Sequence, residues 1–161
     1  MPNTGTLEVS TPSDREVVLR RVFDAPRSLV FDALTKPELL KRWFGADRSP
    51  MVDCEVDLRA GGRWVFVLRH RDGDEMRMRG EYREIARPER LVYTESFDGY
   101  PGESLVTAIL SERDGKTTLT ATILCESREI RDAFLATGME DGAAETYDRL
   151  AEVLPSMALS R

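Results

Sequence analysis

The sequence is poor in the residues that build most catalytic and metal centres, with one histidine and two cysteines in 161 residues. Cys54 and Cys125 lie far apart and form no CxxC pair, and there is no second histidine for a zinc motif. A Ser-His-Asp or Cys-His arrangement would have to use His70. That histidine stands between two arginines beside an Asp-Gly turn, which predicts an exposed hairpin position. We therefore expect neither a metal nor a cofactor, and the residues give hydrolase chemistry little support.

Long apolar runs and an excess of basic residues are also missing. No apolar stretch approaches the ~18 residues of a membrane span. The first residues, MPNTGTLEVSTPSD, lack the basic flank and apolar centre of a secretory signal. A net charge of −6 argues against nucleic acid as a partner, because phosphate binding needs a basic face. These absences predict a cytoplasmic protein with reduced thiols, as either a monomer or a homodimer.

Helical and strand patterns follow one another in a simple order along the chain. The residues predict a strand over 15–23, two short helices over 27–34 and 38–43, six strands between 52 and 126, and two helices over 128–136 and 138–154. Asp-Gly pairs at 72–73 and 114–115 are strong hairpin signals. Successive hairpins make a sheet antiparallel, and its apolar face needs a cover.

The closing helix, predicted over 138–154, is the element long enough to provide that cover. Apolar or small residues recur along one face at three-and-four spacing. The half that contains Leu150 is bulky, whereas the first half carries Gly142, Ala143 and Ala144. Bulk at one end can seal a core while small side chains at the other leave space. The pattern therefore predicts a pocket beneath the first half of the helix.

Together these elements predict an α+β fold, in which a curved antiparallel sheet of about six to seven strands grips a long C-terminal helix. We expect one domain over residues 15–154. Residues 1–14 are expected to form a disordered leader, and residues 155–161 a C-terminal tail.

Four stretches also match a known family: FDAPRSLVFDALTKPELLKRWFG, DLRAGGRW, GEYREIARPERLVYTESF and TGMEDGAAETYDRLAEVL. On these residues the chain resembles the START-like (SRPBCC) superfamily, in the branch named for the activator of the heat-shock chaperone ATPase. The resemblance implies a helix-grip fold whose sheet and long helix enclose an apolar cavity. Relatives include lipid carriers, polyketide cyclases, resistance proteins and co-chaperone domains, so the resemblance implies a fold and a pocket but no single reaction.

Aromatic and sulfur-containing side chains form the candidate wall of that pocket. Each of them alone is more often a core residue, but as a group they favour a pocket, because buried Trp and Tyr need polar partners and Met adapts to varied shapes. Alternation does not settle whether Trp64 and Phe66 point inward, since Val65 and Val67 are apolar too. The candidate ligand-binding residues are Trp43, Phe44, Trp64, Phe66, Met78, Tyr82, Tyr93, Glu95, Met139, Ala143 and Tyr147.

The leading interpretation is non-catalytic binding of an apolar or aromatic small molecule or a lipid, with Tyr82, Tyr93 or Glu95 fixing its orientation. If strand alternation holds, Glu95 faces the same way as Tyr93, and a buried carboxylate needs a partner or a raised pKa. A position at the rim, in water, is equally compatible with the pattern. Two alternatives remain: a co-chaperone-like regulator of a chaperone ATPase, and a cyclase- or dehydratase-type enzyme that uses Glu95 or a tyrosine as its acid–base group.

Overall fold

Eight strands and four helices make up the part of the chain that the computed structural model describes, residues 7–46, 48–100 and 102–159. In chain order the elements are β1 (Glu8–Ser10), β2 (Glu16–Phe23), α1 (Arg27–Thr35), α2 (Pro37–Trp43), β3 (Met51–Val56), β4 (Arg63–Arg69), β5 (Glu75–Ala86), β6 (Arg90–Phe97), β7 (Ser104–Arg113), β8 (Lys116–Leu124), α3 (Arg128–Ala136) and α4 (Met139–Leu159). None of the described helices is both long enough and apolar enough to cross a membrane.

The strands form one sheet in the order β1-β2-β8-β7-β6-β5-β4-β3, and every neighbouring pair is antiparallel. Hairpins join β3 through β8 in sequence, whereas α1 and α2 carry the chain from β2 at one side of the sheet to β3 at the other. The predicted α+β fold, a curved antiparallel sheet with a long C-terminal helix, is confirmed. The sheet has eight strands where six to seven were expected.

The second half of α4 forms the centre of the main hydrophobic core. Leu150, Leu154 and Met157 are almost fully buried, at 0%, 2% and 1% exposure. They cluster with strand residues such as Phe23 and Leu119 and with the inner faces of α1 and α2. The bulky end of the helix therefore holds the two short helices and the sheet together.

Two segments that were expected to be irregular carry regular structure. Glu8–Ser10, inside the expected leader, forms β1, a strand of three residues that is too short to give a readable pattern. The closing helix continues past the expected end at residue 154 to Leu159, with Pro155 inside it, and buries Met157. Residues 1–6 and 160–161 of the expected leader and tail lie outside the described residues. The domain limits of 15–154 stay a prediction.

Replacement of Leu150 by alanine is expected to lower the free energy of unfolding by roughly 2–5 kcal/mol, because it opens a void in the middle of the core. Urea unfolding followed by circular dichroism measures this change. Glu152→Ala on the exposed side of the same helix is the control, with an expected cost below about 1 kcal/mol. Equal effects of the two substitutions would contradict the central position of Leu150 in the core.

Candidate ligand-binding cavity

A cavity of about 500 Å³ lies beneath the first half of α4. Gly142, Ala143 and Thr146 line it, whereas the bulky Leu150 does not. Among the described residues outside the helix backbone, a Cβ placed on Gly142 would come within 4 Å of a single atom, Nη1 of Arg48 at 3.8 Å. The small residues of α4 thus leave open the space that its bulky residues fill further along.

A second cavity of about 60 Å³ adjoins the first on the side of the main core. The two share several lining residues, among them Trp43, Tyr93 and Tyr147. The inner cavity is further lined by Trp64, Phe66 and Tyr82, so these side chains do point inward.

The structure brings every sequence-predicted site residue to the wall of one or both cavities. The larger cavity is lined by Trp43, Phe44, Met78, Tyr93, Glu95, Met139, Ala143 and Tyr147, and the smaller one adds Trp64, Phe66 and Tyr82. Their role in binding stays a prediction.

Aromatic rings pack against one another where the two cavities meet. The rings of Trp43 and Tyr147 stack with centroids 6.1 Å apart, and Phe44 meets Trp43 edge-on at 5.4 Å. The indole N–H of Trp43 donates a hydrogen bond to the carbonyl of Ala33 at 3.0 Å. Because this polar atom already has a partner, Trp43 presents an apolar ring face to the cavity.

Trp64 differs from Trp43 in whether its indole N–H is hydrogen-bonded. It is 2% exposed, and its indole N–H has no hydrogen-bond partner among the described residues. Its ring lies against Gly80 on the neighbouring strand, where a Cβ would come within 2.6 Å of the indole nitrogen and would overlap the carbonyl oxygen of Thr94. Glycine at position 80 is therefore what allows the indole to lie at the inner end of the site.

The rim of the larger cavity contains residues that sequence reasoning missed. Arg48 follows α2, and its Nη2 lies 2.7 Å from Oε1 of Glu145 on α4, with both side chains about half exposed. Ser49 is buried, and its Oγ lies 2.6 Å from Nδ1 of His70. His70 is half-buried and lines the cavity, so the expectation of an exposed hairpin histidine is wrong.

The loop after α2 explains why His70 could not be placed from its neighbours in sequence. The N–H of Arg69 donates to the carbonyl of Pro50 at 3.0 Å, which brings this loop across the end of β4. Gly45 begins the turn with φ +83°, and a Cβ there would overlap the carbonyl of Ser49. The contact between Ser49 and His70 spans 21 residues and leaves no signal in a local pattern. By contrast, Ile130 and Phe134 of α3, which also line the cavity, have the i, i+4 spacing of one helical face.

Glu95 is the polar group that stands out on the cavity wall. It lies on β6 opposite Ser104 of β7, faces the same side as Tyr93, and lines both cavities. Its carboxyl group forms no hydrogen bond or ion pair with any described residue. Burial raises the pKa of Glu95 to about 7. A carboxyl group of this kind can hold or release a proton near neutral pH.

The tyrosines around Glu95 stay protonated at neutral pH. Burial, reinforced by the charge of Glu95, raises the pKa of Tyr93 well above its usual value and that of Tyr147 to about 12. The cavity floor therefore combines one titrating carboxyl group with neutral phenol groups. In the described part of the chain, no cluster of three or more His, Cys, Asp or Glu side chains could hold a metal ion.

Glu95→Gln is expected to stabilise the protein above neutral pH. The pKa of Glu95 is raised from 4.5 to about 7 in the folded state, so its contribution to stability is full below pH 4.5 and is lost as the pH rises through about 7. The free energy of unfolding of the wild type, relative to Glu95→Gln, should therefore fall by roughly 1–3 kcal/mol between these limits. Urea unfolding at a series of pH values measures the difference. Glu55→Gln, which removes the same charge at an exposed position, is the control. A pH-independent difference for Glu95→Gln would contradict the desolvation of Glu95.

Comparisons with solved structures support the same fold. A crystal structure of a protein from Rhodobacter sphaeroides is 30% identical, with 94% of this chain and 99% of that chain covered and a TM-score of 0.90. A crystal structure of a protein from Nitrosomonas europaea is 26% identical, covers 92% of this chain and 99% of its own, and has a TM-score of 0.83. A solution structure from Arthrobacter aurescens, at 24% identity, 94% and 93% coverage and a TM-score of 0.85, shares the fold.

No curated protein matches the chain. The protein-family comparison matches residues 24–155 to the family described as "Activator of Hsp90 ATPase homolog 1-like protein". The matched residues run from just before α1 into α4 and include every lining residue of both cavities except Leu19. The chain therefore belongs to the Activator of Hsp90 ATPase homolog 1-like family.

Proposed function

We propose that the protein binds an apolar or aromatic small molecule, or a lipid, in the cavity beneath the first half of α4. The observation that carries the proposal is the 500 Å³ space that Gly142 and Ala143 leave open, while Leu150, Leu154 and Met157 further along α4 are almost fully buried. Its volume falls within the range of ligand pockets, roughly 300–1,000 Å³. Membership of a START-like family is compatible with this role.

Apolar burial would supply most of the affinity. A ligand that buries about 400 Å² of apolar surface gains roughly 10 kcal/mol by leaving water, at about 25 cal/mol per Å². Loss of translational and rotational freedom offsets part of this gain. The rings of Trp43, Phe44 and Tyr147 offer flat surfaces for an aromatic ligand. The few polar groups, above all Glu95, would fix its orientation rather than provide its affinity.

A co-chaperone role is the second candidate, and the family match supports it through the activator for which the family is named. Such a role would use an outer surface of the domain, whereas ligand binding uses its interior. The two candidates therefore respond differently to a substitution that changes the cavity alone.

Ala143→Trp is expected to abolish ligand binding while the fold survives, because the indole would occupy the cavity under α4. Titration with Nile red, a neutral dye whose emission rises in apolar surroundings, measures the affinity, which should fall by more than about tenfold. Ala136→Trp, at an exposed position at the end of α3 outside the cavity wall, is the matched control and should bind the dye as the wild type does. Unchanged binding by Ala143→Trp would place the ligand elsewhere.

The co-chaperone candidate predicts that the wild type and Ala143→Trp raise the ATPase rate of an Hsp90-type chaperone equally. A coupled ATPase assay at increasing ratios of protein to chaperone measures this rate. Absence of both stimulation and binding would remove the candidate without affecting the ligand-binding proposal.

A further inference from the structure

The charges on the wall of the larger cavity do not balance. Arg48 and Glu145 at the rim neutralise each other at 2.7 Å, and His70 lies against the hydroxyl of Ser49. Glu95, on the floor, has no charged or hydrogen-bonding partner among the described residues. When Glu95 is ionised, the floor therefore carries one uncompensated negative charge.

The groups packed around Glu95 cannot supply the missing positive charge. Its own strand contributes Tyr93, and α4 contributes Tyr147. Tyr82 of β5 lines the inner cavity together with Glu95. Cys125, just after β8, is close enough that the charge of Glu95 contributes to the raised pKa of its thiol. The hydroxyl of Ser104, opposite Glu95 on β7, is directed to Sγ of Cys125 at 3.9 Å.

The tyrosine, serine and cysteine neighbours are neutral donors or acceptors around neutral pH. The two arginines whose charges act on Cys125, Arg15 and Arg131, donate to the carbonyls of Cys125 and Ser13 rather than to Glu95. Burial raises the pKa of Cys125 as it does those of the tyrosines. Burial is also the sole cause of the raised pKa of Glu95, so among residues 7–46, 48–100 and 102–159 no nearby cation offsets the cost of its charge. The residues that the structure describes thus leave this carboxyl group without a partner.

A ligand that brings its own cation would remove this cost. An ionised carboxylate in apolar surroundings is stabilised most by a positive charge that also donates a hydrogen bond, as an ammonium group does. A neutral ligand of the same shape donates at most a hydrogen bond and leaves the negative charge uncompensated, and an anionic ligand adds repulsion.

We propose that the cavity is selective for amines, and that a protonated amine on an aromatic or apolar body pairs with Glu95 on the cavity floor. This inference rests on the proposed ligand-binding function and gives the chemical class of the ligand. The aromatic side chains beneath α4 hold the apolar body, and Glu95 distinguishes the cationic ligand from neutral and anionic ligands of the same shape.

Three ligands with the same ring system test the proposal: naphthylmethylamine, naphthylmethanol and naphthoic acid. Displacement of Nile red at pH 8 gives the affinity of each for the full chain. The amine is expected to bind the wild type at least about tenfold more tightly than the alcohol, and the acid is expected to bind most weakly. Glu95→Gln should remove the difference between amine and alcohol, while Glu55→Gln, exposed on β3, should retain it. Circular dichroism verifies that each variant is folded.

The pH dependence of amine binding, compared between the wild type and Glu95→Gln, provides a second test. Naphthylmethylamine is somewhat less basic than a lysine side chain, whose pKa is about 10, and stays mostly protonated between pH 5.5 and 8. The pKa of Glu95 is about 7 in the free protein, so Glu95 loses its proton within this range. The amine should therefore gain affinity as the pH rises from 5.5 to 8, and the alcohol should not. Tyr82, Tyr93, Tyr147 and Cys125 stay neutral over this range. His70 lies on the wall of the same cavity, so Glu95→Gln, which keeps His70, should lose the gain if Glu95 is its cause.

The possible results separate this inference from the proposed function. If Nile red fails to bind the folded wild type and isothermal titration calorimetry detects no binding of any of the three naphthalenes, the ligand-binding proposal itself is overturned. If amine and alcohol bind equally, or if Glu95→Gln leaves their ratio unchanged, the cavity binds ligands but does not select amines. Tighter binding of naphthaldehyde at pH 5.5 than of the amine at pH 8 would also overturn the inference, because it would indicate that protonated Glu95 donates to a carbonyl group.

Discussion

Both the packed core and the cavity of this domain depend on the difference in side-chain size between the two halves of α4. The second half of α4 places Leu150, Leu154 and Met157 in the centre of the core, where they contact the sheet and the two short helices. The first half places Gly142 and Ala143 over the same face of the sheet and leaves a cavity. Protein interiors are otherwise close-packed, so a void of this size is stable only where the remaining structure is held firmly elsewhere. The buried end of α4 provides that support.

The features that depend on local periodicity could be predicted from the sequence. The alternation of β6 places Tyr93 and Glu95 on one face, and the three-and-four spacing of α4 separates its small residues from its bulky ones. These patterns reflect backbone geometry, which a short stretch of sequence fixes by itself. These two periodic patterns were enough to predict the long helix over a sheet and to identify candidate residues that line the cavities.

The features that depend on distant contacts could not be predicted in this way. His70 lies at the rim because the loop after α2 crosses the end of β4, and its contact with Ser49 comes from a different part of the chain. Met157 is buried although Pro155 precedes it, because packing of the last turn outweighs the local tendency of proline to end a helix. Arg48 at the rim gave no signal in the sequence either, since its partner Glu145 is 97 residues away.

Two charged side chains on the inner face of the sheet illustrate the difference between a structural charge and a site. Arg21 on β2 is 2% exposed, but its Nη1 lies 2.6 Å from Oδ1 of Asp148 on α4, and its guanidinium lies over the ring of Phe23. This pair ties the helix to the sheet. Glu95 faces the same interior with no such partner in the described part of the chain, so ionisation of its carboxyl group destabilises the folded state. The ion pair at the rim, Arg48 with Glu145, is half in water and is therefore screened by dissolved salt, whereas Glu95 on the floor is screened far less. Salt concentration therefore changes the strength of the ion pair at the opening of the cavity, whereas pH changes the charge of Glu95 at its base.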